Sequence, residues 1–258
     1  MTPGPFTVGV STKMYFGQAR TIEWMRSVAE IARTHPAIQS GVLELFVLPS
    51  FPLLPSVLDL AEGTGIRVGA QNIAVEDSGA FTGEVSGALL AEMGVSLAEV
   101  GHAERRRLFG ETPAIVTAKT RAALRNGLTP VLCIGEETAG SPKDAATDCV
   151  GQIIEVLDGI ETGADVIVAY EPQWAIGAVE PASVEHISEV CARLRDVLET
   201  NSHIHSGRVI YGGSAGPGLL GRLGAGVDGL FLGRFAHDPR AVAAVLDEVL
   251  KVRSEEIQ

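Results

Sequence analysis

The amino-acid sequence predicts a closed (β/α)8 barrel, one domain over residues 1–258. Three observations carry this expectation. Eight short apolar runs recur along the chain, and amphipathic helical stretches separate them. The length of 258 residues is about what one such barrel needs, and no linker divides the chain into halves. With 46% hydrophobic and 20% charged residues, the chain can bury a large core.

Strands are read at 6–10, 42–48, 66–70, 97–101, 128–134, 166–170, 208–211 and 229–232. Several are apolar nearly throughout, the pattern of strands covered on both faces. Helices are read at 20–33, 113–126, 145–157, 184–199 and 239–252. In the fourth of these, Val184, Ile187, Val190, Leu194, Val197 and Leu198 fall on one face. The second begins Thr112-Pro113, a capping residue and a first-turn proline, and ends near Asn126-Gly127, a left-handed terminator. An open doubly wound sheet is the competing arrangement. No G-x-G-x-x-G follows the first strand, which weakens its dinucleotide-binding version.

Charge and composition exclude several classes of partner. Lys and Arg total 20 against 32 Asp and Glu, a net charge of −12. The one basic run, Arg105 to Arg107, follows acidic Glu104, so no basic stripe offers itself to nucleic acid. The most apolar stretch, 41–61, holds Glu44 and Asp59 and is broken by Pro49, Pro52 and Pro55, so it cannot span a membrane. Residues 1–10 lack the basic start and apolar run of a secretory leader. Cys133, Cys149 and Cys191 lack metal or redox spacing, and reduced thiols in the cytoplasm are expected.

In a (β/α)8 barrel the active site lies at the C-terminal ends of the strands, so the polar residues just after each apolar run matter most. Ser11-Thr12-Lys13 follows the first run, and Gly101-His102-Ala103-Glu104 the fourth. Glu171 follows the sixth, Gly212-Gly213-Ser214 the seventh and Gly233-Arg234 the eighth. Singly, each has a plainer reading: a solvated lysine, a structural histidine, a strand-ending carboxylate, a tight turn, and Arg105 and Arg106 paired with Glu104. Joint occurrence at the same end of successive strands outweighs these. The glycine-rich turns can aim backbone N–H groups at an anion, and Lys13 adds a positive charge. A histidine and a glutamate facing one small phosphorylated ligand suit proton transfer beside a carbonyl. Trp174-Ala175-Ile176-Gly177 reads as a lid that closes over the ligand and excludes water.

The chain resembles the triosephosphate isomerase family over nearly its whole length. The likeness rests on Lys13-Met14, Ala70-Gln71-Asn72, Gly79 to Glu84, Gly101-His102 with Glu104-Arg105-Arg106, and Cys133 to Glu136. It continues in the same order through Tyr170-Glu171-Pro172, Trp174 to Gly177, Tyr211 to Ser214 and Asp228-Gly229. The resemblance implies that Glu171 is the base and His102 the neutral electrophile. It also implies that Lys13 stabilises the enediolate and the phosphate, with Glu104 beside it. Gly177, Ser214 and Gly233 would donate N–H groups to the phosphate. No metal and no organic cofactor is implied. A homodimer is, with the Phe81-Thr82-Gly83 loop reaching the partner's active site.

Four departures from the family pattern fall on the walls of the site. Ser11 stands where asparagine is usual, against the substrate, and Ala103 where serine is usual. Ala178-Val179-Glu180-Pro181 replaces the usual second half of the lid, and proline fixes φ and removes a donor there. Arg234 replaces the second glycine of the phosphate loop. The proton-transfer pair is untouched, so the expectation is the same reaction on a different substrate: an erythrulose phosphate of tetritol catabolism, isomerised to an aldose or a second ketose. Ser11 leaves room near the carbonyl end for the added hydroxymethyl. The alternatives are a glycolytic triosephosphate isomerase and, from a different class, a non-catalytic sugar-phosphate-binding barrel.

Overall fold

The computed structural model describes residues 5–256. The ends of the expected 1–258 domain, and the start of the stretch read for a leader, lie outside the described residues. Eight parallel strands close into a barrel in sequence order: β1 (Phe6–Ser11), β2 (Leu43–Leu48), β3 (Arg67–Ala70), β4 (Leu97–Val100), β5 (Thr129–Ile134), β6 (Ala164–Tyr170), β7 (Ile204–Tyr211) and β8 (Gly229–Leu232). Closure is made by β1 against β8, with Thr7 opposite Gly229 and Val10 opposite Leu232. Only glycine fits that seam. Gly229 has φ 150°, and a Cβ there would stand 1.7 Å from the Thr7 carbonyl oxygen.

The five helices read from periodicity are present as Gln18–Thr34, Pro113–Arg125, Pro142–Leu157, Val184–Thr200 and Pro239–Glu256. Side chains of Thr112, Ser141 and Ser183 cap three of them, accepting the N–H groups of Ile115, Asp144 and His186. Gly127 follows the second helix with φ 72°, as the Asn-Gly pair predicts. Short helices at Leu54–Ala61, Gly87–Glu92, Ala103–Phe109 and Leu219–Leu223 carry no long apolar stripe. Ala103–Phe109 has no fully buried side chain, so hydrophobic periodicity has nothing to report there. Strand β7 starts four residues before the run read at 208–211. Its first half alternates between half-buried and exposed positions, and His205 and Ser206 interrupt the apolar pattern.

Alternation along the strands divides the core in two. One set of side chains packs outward against the helices, including Val8, Val10, Val47, Leu132, Val168 and Leu230. The other fills the barrel: Phe46, Leu48, Leu97, Val131, Cys133, Ile167, Ala169, Ile210 and Phe231. Each fully buried large apolar side chain contributes about 1.5–3 kcal/mol through area removed from water. At the N-terminal end of the barrel a polar plug closes the floor. Arg208 donates to Thr7 at 2.7 Å and to Glu44, and Arg67 donates to Thr129 at 3.0 Å. The opposite, C-terminal end is left open for chemistry. Among the described residues no helix is long and apolar enough to cross a membrane.

Candidate active site

At the C-terminal rim the loops after β1, β4, β6, β7 and β8 surround a cleft of about 940 Å³. Ser11, Lys13, Glu104, Glu171, Gly212 and Ser214 line it together with Ile176, Gly177, Gly233 and Arg234. A smaller hollow of about 400 Å³ lies at the other end of the barrel, between the starts of β5 and β6, with no histidine on its wall.

Glu171 leaves β6 with its N–H bonded to the Ile134 carbonyl at 2.7 Å. Its side chain fits because residue 212 is glycine: a Cβ there would stand 2.7 Å from the Glu171 Cγ. His102 caps the helix that begins at Ala103, and its Nδ1 accepts the Glu104 main-chain N–H at 3.1 Å. With that lone pair engaged, the neutral ring carries its proton on Nε2. His102 Nε2 and Glu171 Oε2 face each other at 3.5 Å, both buried and both without a hydrogen-bond partner. Two unsatisfied polar atoms facing each other beside the cleft are what a ligand would complete.

Lys13 adopts a left-handed backbone (φ 46°), a conformation that costs a β-carbon-bearing residue about 1–3 kcal/mol. Ser50 Oγ and Gln71 Nε2 hold its carbonyl at 3.1 and 3.0 Å. Its Nζ lies 2.8 Å from Glu104 Oε1. Burial pulls the Lys13 ammonium down, but Glu171, Glu104 and Glu99 together hold it above its ordinary value. Burial likewise pushes Glu104 up, and Lys13 more than offsets this, so the carboxylate stays ionised. The pairing of Glu104 with the arginines is corrected by these contacts. Arg105 bonds to Glu111, and Arg106 bonds to the Gly101 carbonyl at 2.7 Å and the Cys133 carbonyl at 3.4 Å.

The segment after Pro172, expected to act as a lid, is tied down along its length. Trp174 Nε1 donates to Glu136 at 2.8 Å, and Ala175 is fully buried, so these two anchor the segment while Ile176 and Gly177 face the cleft. Ser214 Oγ shares its hydrogen between the carbonyls of Ala175 and Ala178, each at 2.9 Å. The Tyr211 hydroxyl accepts the Ala182 N–H at 3.0 Å. Arg234 Nη2 donates to the Gly177 carbonyl at 3.0 Å, which ties the loop after β8 to the segment after β6 across the cleft. Thr82 stands apart from the others on an exposed loop and does not reach this cleft.

One residue escapes the reading by strand ends. Glu99 lies inside β4, two positions before Gly101, and its carboxylate accepts the Ser11 hydroxyl at 3.2 Å. Its signal is a lone acidic residue inside an apolar strand, on the same face as Leu97. That pattern marks a charge aimed into the barrel.

The fold and the cleft are those of a (β/α)8 barrel that gathers a lysine, a histidine and a glutamate at its C-terminal rim. The triosephosphate isomerase family model matches residues 6–249, and the chain belongs to that family. It is 52% identical to an L-erythrulose-1-phosphate isomerase of Pectobacterium atrosepticum, over 99% of this chain and 100% of the relative. It is 42% identical to a triosephosphate isomerase of Mycobacteroides abscessus, over 82% of this chain and 85% of the relative. It is 39% identical to the triosephosphate isomerase of Moorella thermoacetica, over 88% and 93% of the two chains.

Proposed function

We propose that this isomerase converts a four-carbon ketose phosphate, an erythrulose 1-phosphate, through an enediolate. The carrying observation is the likeness to the erythrulose-phosphate enzyme, which is full-length and higher in identity than that to the two triose-phosphate enzymes. Serine in place of asparagine on the cleft wall supports it, because it makes room beside the carbonyl end.

Glu171 is the base and His102 the proton donor. Glu171 removes the proton from carbon 3 while His102 lends its Nε2 proton to the oxygen on carbon 2. Lys13, held by Glu104, opposes the negative charge that develops on that oxygen. Glu171 then delivers a proton to carbon 2, and His102 recovers one from the oxygen on carbon 3. Overall, one hydrogen moves from carbon 3 to carbon 2 and one from oxygen to oxygen. The carbonyl ends on carbon 3, and the product is a second ketose, phosphorylated at the far end when renumbered. Gly177, Ser214 and Gly233 offer N–H groups to the phosphate, and Arg234 holds the lid over it.

The chain works as one barrel domain over 1–258, in the cytoplasm, as a homodimer in which the loop carrying Thr82 completes the partner's site. Exposed Met14 (93%) beside Lys13 and Phe81 (45%) on that loop are the apolar surface such a contact would cover. Measuring kcat/KM on one preparation tests the substrate, using glyceraldehyde 3-phosphate and both erythrulose phosphate enantiomers. Faster turnover of a tetrulose phosphate is expected. A triose value near the diffusional ceiling, about 10⁸–10⁹ M⁻¹s⁻¹, with slow tetrulose turnover would make this a glycolytic enzyme. No deuterium uptake from heavy water into bound ketose would make it a binder without chemistry.

A further inference from the structure

We infer that Glu99 helps to set which sugar phosphate the barrel accepts, by holding the Ser11 hydroxyl as a pure hydrogen-bond acceptor toward a hydroxyl of the substrate. The inference rests on the four-carbon reading and deepens it. No step above uses Glu99, yet a carboxyl only 4% exposed inside an apolar barrel is costly to keep without a task. Two donors reach it: the Ser11 hydroxyl at 3.2 Å and, weakly, the Cys133 thiol at 4.0 Å.

A serine hydroxyl has one hydrogen. Donated to Glu99, it leaves only lone pairs on the side of Ser11 that lines the cleft. Such a group gives nothing to a carbonyl or ester oxygen, and it accepts from a hydroxyl. An asparagine amide in the same place would offer N–H donors instead. The four-carbon substrate carries a hydroxymethyl beyond the reacting carbons, and the triose does not. A site that hydrogen-bonds a substrate hydroxyl discriminates against the analogue lacking it, because its own polar group is then left unpaired.

The charged and titratable groups facing Glu99 come from four strands: Lys13 after β1, His102 after β4, Cys133 in β5 and Glu171 after β6. Burial, with Glu171 adding, pushes the carboxyl up to about 7, while His102, Lys13 and Ser11 pull the other way. Ionised, Glu99 can only accept, and Ser11 is held as an acceptor. Protonated, Glu99 can itself donate to Ser11 and free the serine hydrogen. Preference for the four-carbon substrate therefore sharpens as pH rises through neutrality.

The test is the ratio of kcat/KM for erythrulose 1-phosphate over dihydroxyacetone phosphate, measured from pH 6 to 8.5 on each preparation, so that active fraction cancels. In Glu99→Leu and in Ser11→Ala the ratio should fall about tenfold or more, and the double variant should fall no further. Glu99→Gln keeps an acceptor oxygen, so most of the ratio should survive, but its rise with pH should vanish. A Glu99→Leu ratio within about threefold of the parent, or loss in Ser11→Ala alone, overturns the inference while leaving the four-carbon reading intact. If the parent turns over only the triose, the four-carbon reading falls first and takes the inference with it.

Discussion

Replacing Glu99 with glutamine removes one titrating group from the barrel interior and nearly preserves its volume. The carboxyl is lifted from 4.5 to about 7, chiefly by burial, so the folded chain holds this proton more tightly than the unfolded chain. The unfolded state thus loses the proton first as pH rises. Stability from this group is present below the unfolded value and is lost as pH climbs to the folded value and beyond. Between about pH 5 and pH 8 the loss amounts to roughly 2–3 kcal/mol. Glutamine does not titrate, and the remaining carboxylates are common to both chains, so they largely cancel in the difference. Urea unfolding at fixed protein concentration should therefore show Glu99→Gln gaining roughly 2–3 kcal/mol on the parent between those limits. In melting temperature this is roughly 5–10 °C for a chain of this size. A difference that stays constant across that range within about 0.5 kcal/mol would mean that Glu99 titrates as it does in the unfolded chain, and the reasoning from burial would fail.

Glu171→Gln should lower kcat by about 10²–10⁴ on the best substrate, the usual worth of a general base, and a loss under about tenfold would remove Glu171 from that role. Arg234→Gly deletes the bond to the Gly177 carbonyl and should raise KM for phosphorylated substrates severalfold; steady-state KM values unchanged within twofold would show the latch to be idle. Phe46→Ala empties the centre of the barrel, where Phe46 meets Phe231 at 5.8 Å between ring centres. Denaturant unfolding should show a loss of about 3–5 kcal/mol, and a loss under 1 kcal/mol would mean the interior collapses to fill the space.

The fold was legible wherever burial is periodic. All eight strands and the five long helices follow from apolar runs and one-sided stripes, because a residue's face in a strand or helix is fixed by its spacing from its neighbours. Ala103–Phe109 was not legible, since none of its side chains is fully buried and it is held by its caps, His102 and Gly110, and by polar contacts of Glu104, Arg105 and Arg106. The first half of β7 was hidden by polar residues at the edge of the barrel floor. In the site, Lys13, His102 and Glu171 stood out as polar residues directly after apolar runs. Glu99 did not, because it lies within a run and was absorbed into the strand. Arg105 and Arg106 show the limit of neighbourhood reasoning: adjacent to Glu104 in sequence, they point to Glu111 and to carbonyls instead.

By itself the sequence determined the eightfold alternation, the positions of the chain reversals and the residues that end each strand at one rim. These are local properties, set by side-chain period, capping chemistry and turn residues. The tertiary structure alone decided who meets whom. Lys13 and Glu104 are 91 residues apart, Ser11 and Glu99 are 88 apart, and Arg234 and Gly177 are 57 apart. Such pairs depend on strand register and on closure at the β1–β8 seam, which bring distant strand ends to one height and around one axis. No local pattern encodes that register, because it follows from how all eight strands tilt and pack together.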